Sequence, residues 1–438
     1  MQKGANGRKR DERNEFKERL SKIKRVMGIL CEHVDESGFM PASLTYPHYS
    51  ACWFRDASMV SIALSRTAKI LKRFGEKEAA EKARISSEKI LSFCWKAIEK
   101  NMPRIERGIS IPLQDKSFFS TENHLPARLG NDMSFFKQSA GDGIKSDEVD
   151  NVWLRQYDSL PLVLLATECY IKEFGISSGI SNQIHIIKEN WEKFLNYMVK
   201  VYKTPCYNAW ELDGHQLHSY TIASIEKGVD SLHNILLAFG IGIGEEAKLI
   251  KAKNEIDIFL RDFFIREEML CKAKDVFRKD GGDFESEPIR EVDASKIIAF
   301  NYFKPACVGS DIEENTMKRI DRDLINGNAL PIRYLGDTYF YGGRWILLGM
   351  EAARWHIAKG NVGKGNEILK YVEDKYLGGN GMLPEQEIVD PASTYDPGEY
   401  YKRNGNCVIS DLAWSEGAYV LAASEYLESV AKNKWPAG

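Results

Sequence analysis

The segment NAWELDGHQLHS places the carboxylate of Glu211 directly after Trp210, in a polar stretch that is rich in turn-forming residues. An indole ring against a carboxyl group removes water from it and raises its pKa, which keeps a general acid protonated near neutral pH. On this segment alone, a capping box between Asn208 and Glu211 is the simpler explanation. The following Asp213–Gly214 pair indicates a turn rather than a continuing helix. Glu211 is therefore a candidate proton donor whose role depends on the rest of the chain.

Further segments combine aromatic rings with carboxylates, guanidinium groups or amides. They contribute Trp53, Arg55 and Asp56; Trp153, Arg155, Gln156 and Asp158; Arg333, Asp337 and Tyr339; Glu385 and Gln386; and Trp414. A guanidinium group and a carboxylate can hold sugar hydroxyls by bidentate hydrogen bonds. Each segment alone also has a structural explanation, since an acid at a helix start, such as Asp56, is favoured by the helix dipole. Together the segments predict a carbohydrate-binding site.

The composition is that of an ordinary globular protein and argues against several function classes. The chain has 438 residues, of which 43% are hydrophobic and 28% charged, and its mean hydropathy is −0.37. A net charge of −3 provides no basic surface for nucleic acid. The longest apolar run, residues 160–171, is too short to cross a membrane, and the charged start is unlike a signal peptide. The eight scattered cysteines form no CxxC pair, so we predict a cytoplasmic protein with reduced thiols.

The histidines give no metal-binding motif. His215 and His218 form an HxxH pair, but this spacing matches no zinc motif and no third ligand completes it. His233 and His356 lie within helical patterns and are predicted to be packing residues. We therefore expect neither a metal nor an organic cofactor.

Apolar residues recur with helical spacing along most of the chain. In one example, Val60, Leu64 and Leu71 fall on one helix face among charged residues. The pattern predicts helices over residues 11–35, 54–74, 76–98, 154–175, 180–203, 217–239, 244–265, 292–302, 311–324, 344–360, 362–376 and 411–431. Strand signals are few, and they predict one short hairpin near residues 271–290.

The connections between these helices alternate in length. Short turns alternate with long polar loops over residues 101–150, 204–216, 325–343 and 377–410. Short turns on one side and long loops on the other describe six helical hairpins that close into a ring. We therefore predict an all-α fold, an (α/α)6 barrel whose long loops line one mouth. No linker divides the chain, so residues 1–438 are predicted to form a single domain, and no sequence period supports a helical solenoid.

In their order, these motifs resemble family 15 of the glycoside hydrolases, the glucoamylase and glucodextranase family, from about residue 46 to about residue 422. The matching motifs are W-x-R-D-A at Trp53–Ala57, Q-x-D at Gln156–Asp158, W-E at Trp210–Glu211, R-Y-x-x-D-x-Y-x-x-G at Arg333–Gly342, E-Q at Glu385–Gln386 and W-S at Trp414–Ser415. An aromatic residue, here Trp153, precedes the second motif. Each motif is short, but their order on an all-α background is a specific signal.

The resemblance implies hydrolysis of an α-glucosidic bond at the non-reducing end of a glucose-containing oligosaccharide, with inversion of configuration. It implies that Glu211 protonates the glycosidic oxygen while ionised Glu385 activates a water on the opposite face of the sugar. Two such carboxyl groups lie roughly 6.5–9.5 Å apart. Arg55, Asp56 and Arg333 would hold the terminal sugar.

The chain departs from the family pattern at four positions. Many members have a glutamate at the position of Leu212 and an acid at that of Asn208. Phe54 replaces a hydroxyl residue, and Arg344 stands where small residues or proline are common. These positions concern the leaving sugar more than the bond that is cleaved. They leave the linkage open between α-1,4-linked maltooligosaccharides, α-1,6-linked isomaltose-type sugars and trehalose.

Two other functions are compatible with parts of this pattern. A phosphorolytic relative would use phosphate in place of an activated water, and the presence of Glu385 argues against it. A catalytically silent carbohydrate-binding or regulatory barrel would keep Arg55, Asp56 and the aromatic floor but lose the acid or the base. The sequence does not predict the oligomeric state, the substrate length or a partner other than the sugar.

Overall fold

The computed structural model of the protein describes residues 2–46, 49–134, 155–176, 179–240, 244–275, 288–337, 339, 342–379, 381–387 and 409–434. Helices account for most of these residues. Their bounds are α1 Gln2–His33, α2 Phe54–Arg73, α3 Lys77–Lys100, α4 Met102–Ser110, α5 Ser159–Phe174, α6 Ser181–Val201, α7 Ser219–Ala238, α8 Glu246–Phe264, α9 Ser295–Ile298, α10 Ser310–Ile320, α11 Ile346–Ala358, α12 Val362–Tyr376 and α13 Ala413–Lys434. Helices α9 and α10 continue into the π-helical segments Ala299–Phe303 and Asp321–Ile325.

Short antiparallel strands lie in the connections between helices. Their bounds are β1 Cys52–Trp53, β2 Arg128–Leu129, β3 Gln216–His218, β4 Ile265–Arg266, β5 Met269–Leu270, β6 Ala273–Asp275, β7 Pro288–Ile289, β8 Arg344–Trp345 and β9 Gln386–Glu387. Strand β1 pairs with β2, β4 with β5 and β8 with β9, while β3, β6 and β7 form a three-stranded sheet. These pairs fix the ends of the loops that enter the helices.

Six helical elements form a closed ring. Around it, α2 contacts α5, α5 contacts α7, α7 contacts the π-helical segment after α9, α9 contacts α11, α11 contacts α13, and α13 contacts α2. Other helices pack outside this ring, with α3 against α2, α8 against α7 and α12 against α11. This arrangement confirms the predicted (α/α)6 barrel.

The sequence explains which helices lie inside the ring. Helix α5, SLPLVLLATECYIKEF, is apolar on nearly every side, and residues 159–168 are all buried. A helix that is apolar all round must be surrounded by other helices. Helix α3 instead buries Ile90, Leu91 and Trp95 on one face and carries lysines and glutamates on the other. One apolar face suffices for a helix that packs on the outside.

The inner helices all begin at the same mouth of the barrel. An outer helix carries the chain back between successive inner helices, so the inner helices run in parallel. The long loops predicted from the sequence lead into the starts of α5, α7, α11 and α13. The positive ends of the inner helix dipoles therefore point to this mouth, where they favour carboxylates.

Two connections differ in detail from the sequence-based expectation. The predicted loop over residues 101–150 contains α4 and two 3₁₀ turns, Lys116–Phe119 and Thr121–Asn123. Proline at the first turn of α4 is compatible with a helix start, although it reads as a loop signal in sequence. The predicted hairpin near 271–290 corresponds to β6 and β7, whose connection lies outside the described residues. The single-domain organisation over residues 1–438 stays a prediction.

Candidate active site

The described site residues all lie at the mouth of the barrel. They precede or begin inner helices, or lie in the loops that lead to them, and only Trp153 falls outside the described residues. The residues are Trp53, Arg55 and Asp56 at α2; Gln156 and Asp158 before α5; Trp210 and Glu211 before α7; Arg333 and Tyr339 before α11; and Glu385, Gln386 and Trp414 before or at α13. The barrel therefore gathers motifs that are far apart in sequence.

Glu211 lies on a tight turn, residues 208–214, which we call the acid loop. The side-chain oxygen of Asn208 accepts hydrogen bonds from the backbone N–H groups of Trp210 (2.8 Å) and Leu212 (3.0 Å). Glu211 itself has a left-handed backbone with φ of 62°. The capping box considered from the sequence is therefore wrong, because Asn208 caps a turn and no helix begins here. A non-glycine residue in this conformation is strained, as is common in catalytic loops.

The carboxylate of Glu211 is held by two N–H donors on one oxygen. Its Oε1 accepts from the indole of Trp53 at 2.9 Å and from the amide of Gln156 at 2.8 Å. The indole that contacts the acid is thus Trp53, whereas the neighbouring Trp210 donates to both oxygens of Asp293, at 3.0 and 2.9 Å. The sequence-based expectation that the Trp210 indole contacts Glu211 is therefore wrong. The turn directs the Trp210 indole to Asp293 and the Glu211 carboxylate to Trp53.

Arg55 supports the acid loop from behind. It is buried and forms a bidentate ion pair with Asp158, with Nε–Oδ2 at 2.7 Å and Nη2–Oδ1 at 3.2 Å. It also donates to Oε1 of Gln156 at 2.6 Å and to the carbonyl of Ala209 at 2.9 Å. Because the Gln156 oxygen faces Arg55, its amide nitrogen faces Glu211. Arg55 therefore connects the start of α2, the start of α5 and the acid loop.

Asp56 is a buried carboxylate beside this cluster. Burial raises its pKa to about 7; Arg55 opposes the shift, and the negative charge of Glu211 adds to it. Its side chain forms no hydrogen bond with another described side chain. Its acceptor capacity is therefore available to a ligand hydroxyl.

Arg333 lies in an aromatic box on the other side of the mouth. Its Nε and Nη2 pair with Asp337 at 2.8 and 2.7 Å. The guanidinium carbon lies 4.8 Å from the ring centre of Tyr339, 5.0 Å from that of Trp345 and 5.6 Å from that of Trp210. The Asp337 pair and the rings orient the guanidinium group, and its Nη1 has no hydrogen bond with the described residues.

Glu385 is fixed by backbone hydrogen bonds on both sides. We call the β8–β9 pair, in which Trp345 faces Gln386, the base ladder. The carbonyl of Glu385 accepts from the N–H of Ile346 at 3.2 Å, and its N–H donates to Ile409 at 2.9 Å. These bonds tie the residue to the starts of α11 and α13. Its position therefore depends little on side-chain conformation.

The Glu385 carboxyl is almost fully buried, with 2% of the residue exposed. Burial raises its pKa to about 8, although the positive charge of Arg333 and hydrogen bonds from Tyr49 and Tyr339 oppose the shift. Tyr49 donates to Oε1 at 3.2 Å. Oε2 is buried without a hydrogen-bond partner among the described residues. An unpartnered buried carboxylate oxygen is suited to accept a hydrogen bond from a bound water.

Tyr49 is a site residue that the sequence analysis did not single out. Its ring centre lies 5.3 Å from that of Trp53, and its hydroxyl also lies 3.0 Å from that of Tyr339. Tyr49 thus reaches Glu385, while the adjacent Trp53 reaches Glu211. One short segment before α2 therefore contacts both acids. Only its closeness to the W-x-R-D-A motif could have identified it.

The remaining predicted residues are buried in the base ladder and at the start of α13. Gln386 and Trp414 are 1% and 5% exposed. A Cβ atom at Gly343 would lie 2.8 Å from the backbone carbonyl oxygen of Glu387, so glycine is needed there. Arg344, one of the departures from the family pattern, donates from Nη1 to the carbonyl of Leu330 at 2.6 Å. It thereby joins the base ladder to the segment that enters the Arg333 loop.

The two histidines of the HxxH pair have separate environments. His218 is buried, its Nε2 lies 3.1 Å from the carbonyl oxygen of Asp213, and burial lowers its pKa to about 4. His215 is exposed. Within the described part of the chain, no group of three or more His, Cys, Asp or Glu side chains is arranged to hold a metal ion. None of the described helices is both long and apolar enough to cross a membrane.

Comparison with known proteins identifies the family. Residues 18–334 match the model of glycosyl hydrolases family 15. An isomaltose glucohydrolase from Kribbella flavida is 24% identical over 413 residues, which cover 91% of this chain and 90% of that protein. A glycosidase solved in complex with glucose has a TM-score of 0.73 at 20% identity, covering 94% of this chain and 98% of that chain. The glucoamylase from Saccharomycopsis fibuligera has a TM-score of 0.63 at 14% identity, covering 94% and 95%.

The two solved structures share the fold of this protein, and the family model spans well over half of its length. The motif order that resembled family 15 is thereby confirmed. The protein belongs to family 15 of the glycosyl hydrolases and is a glycoside hydrolase.

Proposed function

We propose that the protein is an inverting, exo-acting α-glucosidase. It releases β-D-glucose from the non-reducing ends of short α-glucans or oligosaccharides, with Glu211 as general acid and Glu385 as general base. The observation that carries the proposal is the segment from Tyr49 to Trp53, whose neighbouring rings each hold one of the two carboxyl groups. Two carboxyl groups at one sugar site are the catalytic requirement of glycoside hydrolysis.

The hydrogen bonds of Glu211 distinguish its two oxygens and stabilise the carboxylate that remains after proton donation. Two N–H groups donate to Oε1, whereas no described side chain donates to Oε2. The acid proton therefore lies on Oε2, from which it passes to the glycosidic oxygen as the bond to the leaving sugar breaks. Trp53 and Gln156 then stabilise the carboxylate that remains.

The unpartnered Oε2 of Glu385 fits a base that activates water. Oε2 accepts a proton from a water molecule, whose oxygen attacks the anomeric carbon from the face opposite the leaving sugar. Tyr49 holds Oε1 and so orients the carboxylate. The base works in its ionised form, and burial raises its pKa to about 8. Activity is therefore expected to rise with pH through that pKa.

Asp56 and Arg333 are the proposed contacts of the terminal sugar. Asp56 offers acceptor oxygens, and Arg333 offers the N–H groups of Nη1 together with the aromatic rings around it. Arg55 acts as a positioning residue, because its hydrogen bonds go to Asp158, Gln156 and Ala209. Binding energy at this sugar orients the scissile bond between the two acids.

An α-1,6 linkage is the second candidate for the substrate. The relative from Kribbella flavida that aligns over 91% of this chain is named for isomaltose. Leu212, which follows Glu211 on the acid loop, also departs from the family pattern. An isomaltose-type glucohydrolase is therefore favoured over a trehalase.

Glucose release from maltose, isomaltose and trehalose tests the proposal. The wild-type protein is expected to release glucose from at least one of them, and the variants Glu211→Gln and Glu385→Gln are expected to lose that activity. Full activity of either variant would remove that residue from its catalytic role. Glucose binding without turnover of any sugar would instead support the silent carbohydrate-binding barrel.

A further inference from the structure

Lys272 lies beside the acid loop on a backbone that hydrogen bonds hold in place. Its N–H donates to the carbonyl of Ile289 at 3.2 Å. Its carbonyl accepts from the N–H of Ser219 at 3.3 Å and from the Ser219 hydroxyl at 3.1 Å. Ile289 belongs to β7 and Ser219 begins α7. The position of Lys272 is therefore fixed by the sheet and by an inner helix.

Most of the Lys272 side chain is buried, but its ammonium group is accessible to solvent and has no hydrogen bond to a described residue. Only 8% of the residue is exposed. Its Nζ lies 4.2 Å from the ring centre of Tyr334 and 4.0 Å from Oδ2 of Asp213, which is longer than a hydrogen bond. None of its three N–H donors is bonded to a described residue. The three N–H donors of Lys272 are therefore available to an acceptor that binds beside the acid loop.

A second lysine, Lys296, is close enough to Lys272 for their charges to interact. Lys296 is 1% exposed, and burial lowers its pKa to about 8; Asp293 opposes this shift and the charge of Lys272 adds to it. Repulsion between the two ammonium groups favours a Lys272 side chain that is directed away from Lys296, towards the acid loop.

The two neighbours of Lys272 place it on the leaving-group side of the site. Asp213 follows the proposed acid Glu211 by two residues, and Tyr334 follows Arg333 directly. Glu211 protonates the oxygen that joins the two sugars, and Arg333 holds the terminal sugar. A leaving sugar on the side of Asp213 and Tyr334 would therefore meet Lys272.

We propose that Lys272, paired with Asp213, binds hydroxyls of the leaving sugar and so determines which leaving groups the enzyme accepts. The ammonium group donates to hydroxyl oxygens, the Asp213 carboxylate accepts from hydroxyl groups, and the Tyr334 ring provides an apolar face. This inference rests on the proposed exo-glucosidase function and assigns a residue to its leaving-sugar side.

The test compares two substrates that differ only in the leaving group. One is the best disaccharide among maltose, isomaltose and trehalose; the other is α-D-glucosyl fluoride, which has no leaving sugar. The variant Lys272→Met keeps the length of the side chain but removes its charge and donors. We expect kcat/KM for the disaccharide to fall by about 10- to 100-fold, the range for charged hydrogen bonds, with kcat/KM for the fluoride within about twofold of wild type.

Lys274→Ala is the matched control. Lys274 lies two residues further along the same chain segment, and its ammonium group lies over Phe263, at 4.6 Å from the ring centre. We expect this variant to leave both substrates unchanged. A Lys272→Met variant with unchanged disaccharide kinetics, or with equal losses on both substrates, would overturn the proposal. A wild-type protein that hydrolyses neither substrate would instead overturn the proposed function on which it rests.

Discussion

Glu211 stands half-buried on a turn with left-handed backbone, whereas Glu385 adjoins a strand pair and is almost fully buried. Side chains hold the acid: Asn208 shapes its turn, and Trp53 and Gln156 donate to one of its oxygens. Backbone hydrogen bonds to the starts of two inner helices hold the base.

This difference corresponds to the two proposed tasks. A general acid must release its proton to the substrate and recover it, so hydrogen bonds that define which oxygen carries the proton are useful. A base that activates one water needs an oxygen that is free of protein partners and a fixed direction of approach. We therefore expect the acid side to be sensitive to side-chain hydrogen bonds and the base side to changes around the carboxylate.

The largest expected effect is on kcat/KM. Variants of the two carboxylates should respond differently when the leaving group of the substrate is changed. Fluoride departs without protonation, so Glu211→Gln should lose about 10²–10⁴-fold in kcat/KM on a disaccharide but much less on α-D-glucosyl fluoride. Glu385→Gln should lose activity on both substrates, because both need an activated water. Equal losses for the two variants on both substrates would contradict the division of roles.

Arg55 supports the acid side, and its removal should cost stability. Arg55→Ala leaves Asp158 buried and unpaired, so we expect the free energy of unfolding to fall by about 3–5 kcal/mol. Urea denaturation of the variant measures the change. Lys193→Ala, which breaks the exposed pair with Glu106, is the control and should cost at most about 1 kcal/mol. A similar small change for both variants would mean that the buried pair does not support the fold.

Tyr49→Phe should shift the pH dependence of the base side. The Tyr49 hydroxyl lowers the pKa of Glu385, so its loss raises that pKa further above the ordinary value of 4.5. Because the base acts when ionised, the acidic limb of the kcat/KM profile should move to higher pH, by up to about one unit. The alkaline limb, which reports other groups, should stay in place. A shift to lower pH would show that the limb does not follow Glu385.

The smallest expected effect is that of replacing Asn208, which acts only within the acid loop. Asn208→Ala removes the acceptor for two backbone N–H groups and should destabilise the protein by about 1 kcal/mol. Disaccharide hydrolysis should fall several-fold while glucosyl fluoride hydrolysis changes little. Asn208→Asp keeps the acceptor and should retain the turn. Loss on the fluoride as well would indicate that the turn also positions the base.

The fold was predictable because its signals are local. The apolar sequence of α5 and the two-faced sequence of α3 each identify an inner and an outer helix without reference to the rest of the chain. The alternation of short and long connections then predicts hairpins that open to one mouth. The helix α4 was missed because Pro103 reads as a loop signal, although a helix accepts proline in its first turn.

The sequence predicted which residues form the site, but not which side chains contact each other within it. Motif order identified Glu211 and Glu385, yet sequence proximity suggested the wrong indole for the acid, since Trp53 lies far away in the chain. Tyr49 was missed for the same reason, because its contact with Glu385 joins segments 336 residues apart. Such pairs arise from the closure of the helix ring, which brings the starts of the inner helices together. The spacing of residues along the sequence does not show how this ring closes.

Proton NMR of the anomeric signal during the first minutes of hydrolysis tests the central claim most directly. The fresh glucose released from the best disaccharide reports which face of the sugar the water attacked. The arrangement of Glu211 as acid and Glu385 as base predicts β-glucose, which converts only slowly to the equilibrium mixture. Fresh α-glucose would mean retention of configuration and would contradict the assignment of Glu385 as the base that activates water.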